Sequence, residues 1–566
     1  MIDIASLPKP TRAEAARFLG HATMGYNLAE VDNLVAVGYK AWFDSQFAIP
    51  NNKYIGHFDW LKAKKPWTDV STEFLSFHFT DSCVRRMVEG GDGLRQKLTF
   101  ALSQILVISI TVDLGESRPQ FIGAAYMDLL QQNAFGNYRT LLGEVSSSPV
   151  MARFLTFKGS KKADPVAGTS PDENYAREIL QLFTLGVENL NIDGTRVYEA
   201  GSMVIREPYK RTHIAELAKM FTGWYEDPNY TGNNYREVYR SKLKSNPYER
   251  DDTPLNLGIT TAAYCTDVSS LQATVPVNSN ATTRLNATLD HIFLHSNVAP
   301  FIARQLIQRF VTSNPSPAYI ARVAAAFNGN GKLPSVGGTK GDLKTVVQAI
   351  LMDDSLFDAN RRRVGELGSD AFGKVREPFS RLTHWARAFG ATSRTSLWTT
   401  GLWNDSLADR GRLAQAPLMA PSVFNFYRPG YVPPKSATAI KRNPTTGVPD
   451  PSGKSMVAPE LQITDEVTTV AYLNFMTRAI DGRLGVNGLG DITASYAAWL
   501  PKATNPAGLV ADLALLLTAD RLTAINRNRI ISAISAMPSG TDDQRRMRVQ
   551  AAVLLVMASP EYIVQK

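Results

Sequence analysis

The chain of 566 residues is 44% hydrophobic and 20% charged, which excludes a disordered or collagen-like polymer. It is longer than one hydrophobic core ordinarily encloses, so more than one lobe is expected. A formal charge of +9, with "RRR" (361–363) and "RRMR" (545–548) as its densest basic clusters, suits an anionic ligand or surface but not a nucleic-acid arm.

Helical periodicity then predominates along the chain. "RAEAARFLGHAT" (12–23) spaces Ala15, Ala16, Phe18 and Leu19 for one buried side. "LAEVDNLVAVGYKAWFDSQF" (28–47) predicts two short helices broken at Gly38. Further helices are expected over 93–109, 124–135 and, as a broken pair, 137–155. A turn-rich loop at 160–170 leads into "PDENYAREILQLFTLG" (171–186), and "THIAELAKMFTGW" (212–224) predicts a helix capped by Thr212 and closed by Gly223. Periodicity fades over 225–283, a stretch long enough to be a functional loop, an insertion or a connection. Helices return over 284–390, where Asp342 is a natural N-cap, and again over the last hundred residues. The expected architecture is mainly α: an N-terminal helical lobe (1–224), an irregular connection (225–283) and a C-terminal helical lobe (284–566). The second lobe carries an aromatic and Pro-rich loop within 391–460.

The N-terminus has neither a basic nor an apolar leader region, and no apolar run approaches a bilayer span, so no transmembrane segment is expected. A periplasmic or secreted location is expected if an export signal has been removed, and a cytoplasmic one otherwise. Cys83 and Cys265 could form one bridge or be two buried thiols, and no C-x-x-C is present.

The stretch 171–186 is the most ordered piece of local text. Ser170 and Glu173 have capping-box spacing, Pro171 sits where a first-turn proline is tolerated, and Gly186 fits a left-handed terminating position. Ala176, Ile179, Leu180 and Phe183 lie on one side, while Asn174, Arg177, Glu178 and Gln181 form a polar stripe. Such a stripe suits a glycan or carboxylate ligand, with Arg177 as anion clamp and Glu178 or Glu173 as acid or base. It also suits a salt-bridged seam between helices, and that reading leads.

Other candidates are weaker. His291 and His295 stand four apart, as metal-binding imidazoles do, but with no third ligand in view no metal is assigned. Asp251 and Asp252 in "YERDDTP" read first as a charged turn. In "APSVFNFYRPGYVPP", Asn425, Tyr427 and Arg428 interleave with other aromatics on a stiff loop, suiting sugar rings, a partner protein or a packed lid. There is no G-x-S-x-G elbow, Walker A loop or G-x-G-x-x-G. That argues against an α/β-hydrolase, an NTPase or a dinucleotide enzyme, and leaves a carboxylate-based hydrolase open.

"DENYAREILQLFTLGVENLNIDG", "IAELAKMFTGW", "LRQKLTFALSQILVIS", "AFGNYRTLL", "FIARQLIQRFVTSNPSPAYIARVAAAF" and "APSVFNFYRPGYVPP" together resemble the bacterial family known as domain of unknown function 1800. The likeness runs from about residue 12 to the C-terminus. It implies a largely helical, often exported protein, and its most specific part is N-Y-A-R-E followed by T-G-W, here Asn174, Tyr175, Arg177 and Glu178 with Thr222, Gly223 and Trp224. Phe183 stands where family members frequently have histidine. The family's genes often neighbour one for a phosphatase- or sulfatase-like protein, which implies a partner.

Two functions are therefore expected. The first is an extracytoplasmic enzyme or binding protein acting on glycans or other envelope polymers. In it Glu178 or Glu173 is catalytic, and Asn174, Arg177, Gln181, Trp224, Asn425, Tyr427 and Arg428 bind ligand. The second is a non-catalytic partner or scaffold for the phosphatase-like neighbour. The cofactor is left open.

Overall fold

The computed structural model describes residues 3–64, 77–115, 119–230, 232–258, 274–278, 280–334, 337–365, 367–369, 371–400, 413–434, 456–486 and 489–566. The fold is mainly α. Among the described residues the strands are two to five residues long and pair in small antiparallel sheets.

The first helix, Arg12–Ala22, begins with a capping box: Thr11 Oγ1 accepts from the Glu14 amide and Glu14 Oε2 accepts from the Thr11 amide. Leu28–Ala48 is interrupted at Gly38, whose φ of 81° lies outside the helical region, so the expected break is present. The helix expected over 93–109 is shorter, Gly93–Ser103. The β-branched run that follows leaves the helical ladder, and the Ile110 amide donates to the Leu418 carbonyl instead. Pro119–Asn133, Tyr138–Ser146 and Pro149–Phe154 complete the early helices.

Later helices include Ala281–Phe293, Val298–Phe310, Pro317–Asn328, Leu343–Leu351, Pro378–Ala388, Glu466–Ile480, Pro506–Thr518 and Asp542–Met557. Asp342 caps Leu343–Leu351 as expected, its Oδ1 accepting from the Lys344 amide. Two short strand pairs fall in the connection, Trp224–Tyr225 with Lys244–Ser245 and Leu255–Asn256 with Thr274–Val275.

Buried apolar side chains form one contiguous cluster from Ala15 to Tyr562. Long-range polar contacts join its distant parts. Arg363 N donates to Glu14 Oε1 at 2.9 Å, and Arg139 pairs with Asp290 at 2.7 Å. Lys374–Val375 pairs antiparallel with Val564–Gln565, which ties the chain's end to the base of the Pro378–Ala388 helix. Among the described residues no helix is long and apolar enough to cross a membrane. Cys83 is a buried free thiol, and Cys265 lies outside the described residues.

Candidate functional site

The helix at the centre of the N-Y-A-R-E text is Asn174–Gln181. The capping box expected from Ser170 and Glu173 does not form. Asp172 caps instead: its Oδ1 accepts from the Asn174 amide at 2.7 Å, and Thr156 Oγ1 donates to its Oδ2 at 2.7 Å. Ser160 Oγ accepts from the Asp172 amide, so two upstream residues fix where the helix starts. Glu173, freed from capping, accepts from Arg177 Nη2 one turn on at 2.9 Å. At the far end Gly186 adopts φ +77°, and a Cβ there would fall 2.7 Å from Phe301 Cε2, so only glycine fits.

This helix packs on Arg211–Ala218 and the turn after it through aromatic rings. Tyr175 meets Phe221 edge-on with centroids 4.7 Å apart, and Phe157 lies 4.7 Å from Tyr175 on another side. The Tyr175 hydroxyl is hydrogen bonded to Ser146 Oγ at 2.7 Å. A seam of acid, guanidinium and indole is one expectation for this joint; the observed joint is an aromatic cluster. Trp224 is 3% exposed and its Nε1 donates to the Met220 carbonyl at 2.9 Å, so the indole belongs to the interior. Thr212 does not cap the second helix: it lies inside Arg211–Ala218, whose N-cap is Lys210, and the α-helix ends at Ala218, with Gly223 following a short 3-10 turn at Lys219–Phe221.

The polar stripe divides. Asn174, Arg177 and Gln181 are half-buried at the surface edge, with Asn174 Nδ2 donating to Thr156 Oγ1. Glu178 turns inward: it is 6% exposed and its Oε2 has no hydrogen-bond partner. Burial pushes its carboxyl above the ordinary glutamate range, against the opposing pull of the Arg177 charge. The Tyr209 phenol, itself pushed up to about 12 by burial and by the Glu178 charge, is part of the same surroundings. Two carboxyl groups on one short helix thus occupy different environments, one desolvated and one held in a surface ion pair.

The aromatic loop splits in the same way. Arg428 is exposed and lies over the Phe424 ring at 4.7 Å, while Tyr427 is fully buried beneath Arg309 at 5.1 Å. Asn425 is buried in a left-handed conformation, φ +63°, and lines a cavity of about 10 Å³ with Gln104, Gln415 and Phe426. Asn425 and Tyr427 therefore do not share a surface with Arg428.

Next to that cavity lies a buried ionic network that nothing in the local sequence singles out. Lys374 Nζ sits 3.4 Å from Glu377 Oε1 and 3.3 Å from Glu460 Oε1, and Gln415 Nε2 donates to Glu377 Oε2 at 2.9 Å. Burial alone would raise the Glu377 carboxyl, but Lys374, Lys97 and Arg309 hold it down to about 2. Burial raises Glu460 despite the pull of Lys374. The only sequence signal was Lys374 and Glu377 at i, i+3 ahead of a proline, which reads as a solvated helix start.

The remaining candidates carry little chemistry. His295 Nδ1 accepts from the Asn297 amide at 3.0 Å, and both ring nitrogens of His291 are buried without partners. Among the described residues no group of three or more His, Cys, Asp or Glu side chains could hold a metal ion. Asp252 pairs with Arg250 at 2.6 Å and Asp251 accepts from the Thr253 amide, an ordered charged turn.

Fold and site together define a mainly helical protein whose most specific motif helix carries one desolvated acid and one surface ion pair. Residues 17–564 match the family described as "Protein of unknown function (DUF1800)", and the chain belongs to that family. No curated protein and no solved structure matches it significantly.

Proposed function

We propose that the protein is an extracytoplasmic enzyme or binding protein acting on glycans or other envelope polymers, working at the edge of the Asn174–Gln181 helix. One observation supports this reading: Glu178 is desolvated with an unpartnered oxygen, while Glu173 on the same helix is ion-paired with Arg177. A carboxyl that burial makes a weaker acid is suited to donate to a leaving oxygen, and a second carboxylate in a polar setting can serve as base or nucleophile. Arg177 and Asn174 supply donors for a hydroxyl-rich or anionic ligand. The test is release of reducing ends from a panel of cell-envelope glycans by wild type, Glu178→Gln and Glu173→Gln. Turnover falling about 10²–10⁴-fold in Glu178→Gln, with binding retained, supports the assignment. Equal turnover in that variant removes Glu178 from the mechanism.

A second reading, a non-catalytic partner of a phosphatase- or sulfatase-like protein, draws on the exposed Phe424–Arg428 stack. Such an aromatic–guanidinium pair is a common interface anchor. Co-purification of the neighbour with wild type, and its loss with Phe424→Ala, would support it; equal capture by both would not.

A further inference from the structure

Gln104 is the C-cap residue of the Gly93–Ser103 helix, and its side chain reaches the buried Glu377 network. Cationic neighbours keep Glu377 ionised, and a carboxylate only accepts, so the Gln104 amide nitrogen faces it and Nε2 donates to Oε2. Gln104 Oε1 is then the free end of the amide, buried and without a partner. Asn425 Nδ2, in the aromatic loop, is likewise buried and unpartnered. Both side chains line the same cavity of about 10 Å³. That volume admits one particle about the size of a water.

The rest of the wall leaves this donor and this acceptor as the groups in need. Gln415 accepts from the Phe379 amide at 3.1 Å and donates to Glu377 Oε2 at 2.9 Å. Ser103 Oγ donates to the Phe100 carbonyl at 2.8 Å and keeps lone pairs with which to accept. One unpaired acceptor and one unpaired donor call for an occupant that does both. An anion would be repelled by Gln104 Oε1 with Glu377 behind it, and a metal cation by the Asn425 N–H groups. A water accepts from Asn425 and donates to Gln104, and its second proton can go to Ser103.

We propose that this cavity is a structural water site, in which one ordered water bridges Asn425 Nδ2 to Gln104 Oε1 and fastens the aromatic loop to the Glu377 network. The loop has need of fastening. Ala414, Leu418 and Asn425 have φ of +56°, +53° and +63°, and residues other than glycine keep such conformations where their surroundings hold them. The Leu418 carbonyl accepts from the Ile110 amide at 2.9 Å, and the Asn425 amide donates to the Ser422 carbonyl at 3.1 Å. The water adds a hold on the Asn425 side chain. The site is separate from the Glu178 helix and depends on neither function proposed above.

A high-resolution crystal structure of the full chain should show a water within about 3.2 Å of both Asn425 Nδ2 and Gln104 Oε1. A double-mutant cycle reads the link itself. Asn425→Gly removes the amide while tolerating the left-handed backbone, and Gln104→Met removes the acceptor. Because either change breaks the same bridge, the double variant should be less destabilised than the two single effects combined, by about fivefold in the unfolding constant. Additive effects, an empty cavity, or a direct Asn425–Gln104 hydrogen bond with no water between would each overturn the proposal. If Gln104→Met does not fold, the wild-type density decides.

Discussion

Arg177 and Glu178 are chain neighbours that part company in the fold. The guanidinium reaches back one turn to Glu173 at 2.9 Å, while the carboxyl beside it is buried with Oε2 unpartnered. Successive residues on a helix point about 100° apart, so a stripe drawn on one face can have one edge in solvent and the other in the seam. Here Tyr175 faces the joint with Phe157 and Phe221, and Glu178, one turn on, is buried near Tyr209.

The raised Glu178 carboxyl makes stability depend on pH in a definite sense. A group whose folded pKa lies above its unfolded value contributes stability that is complete below the unfolded value, 4.5, and is lost as pH rises through the folded one. Glu178→Gln should therefore raise the unfolding midpoint at pH 8 and leave it unchanged at pH 4. Scanning calorimetry of both proteins at the two pH values checks this, and a variant less stable at pH 8 would contradict it.

Glu377 behaves in the opposite way. Its carboxyl is held down to about 2 by Lys374, Lys97 and Arg309 against burial, so its contribution is present above pH 4.5 and fades as pH falls toward 2. Glu377→Gln breaks a buried ion pair while leaving Lys374 in place, an expected cost of about 3–5 kcal/mol at pH 7. Urea denaturation between pH 7 and 2 should show the gap between variant and wild type narrowing below pH 4.5.

Tyr175 holds the helix joint by two separable means. Tyr175→Phe removes only the hydroxyl bonded to Ser146 Oγ and should cost about 1 kcal/mol. Tyr175→Ala also removes the ring packed on Phe157 and Phe221, and about 3–5 kcal/mol is expected. Denaturant midpoints of the two variants separate the contributions.

Gly223 explains its place between Thr222 and Trp224. It has φ +71°, and a Cβ would lie 2.7 Å from the Asn246 carbonyl oxygen and 2.8 Å from the Arg250 amide nitrogen. Gly201 has a similar φ, +70°, but open space around it. Gly223→Ala should cost about 1–3 kcal/mol or more and exceed Gly201→Ala, the difference measuring the backbone clash apart from left-handed strain.

What was legible in the sequence follows from which signals are local. The break at Gly38 and the cap at Asp342 depend on a residue and its nearest neighbours, and both are present. Helix capping at 170–174 was misread because Ser170 and Glu173 satisfy the spacing, yet Asp172 is anchored by Thr156 and Ser160 from an earlier turn. The helix through 93–109 stops at Ser103 because the next segment bonds to Leu418, some three hundred residues away in the chain. The acids of the motif helix were identifiable by type, but which of them is desolvated depends on how the helix packs: Glu178 is buried and Glu173 is not. The Glu377 network was invisible because its partners Gln104, Gln415 and Glu460 come from three separate regions.

The central claim is that Glu178 is a desolvated acid that titrates above the ordinary glutamate range, beside a surface ion pair. Infrared difference spectra of wild type minus Glu178→Gln, followed through a pH titration, observe that carboxyl directly. The account predicts a protonated C=O band that persists above the ordinary glutamate range and disappears at a raised midpoint. A carboxylate signal already complete at pH 5 would contradict it.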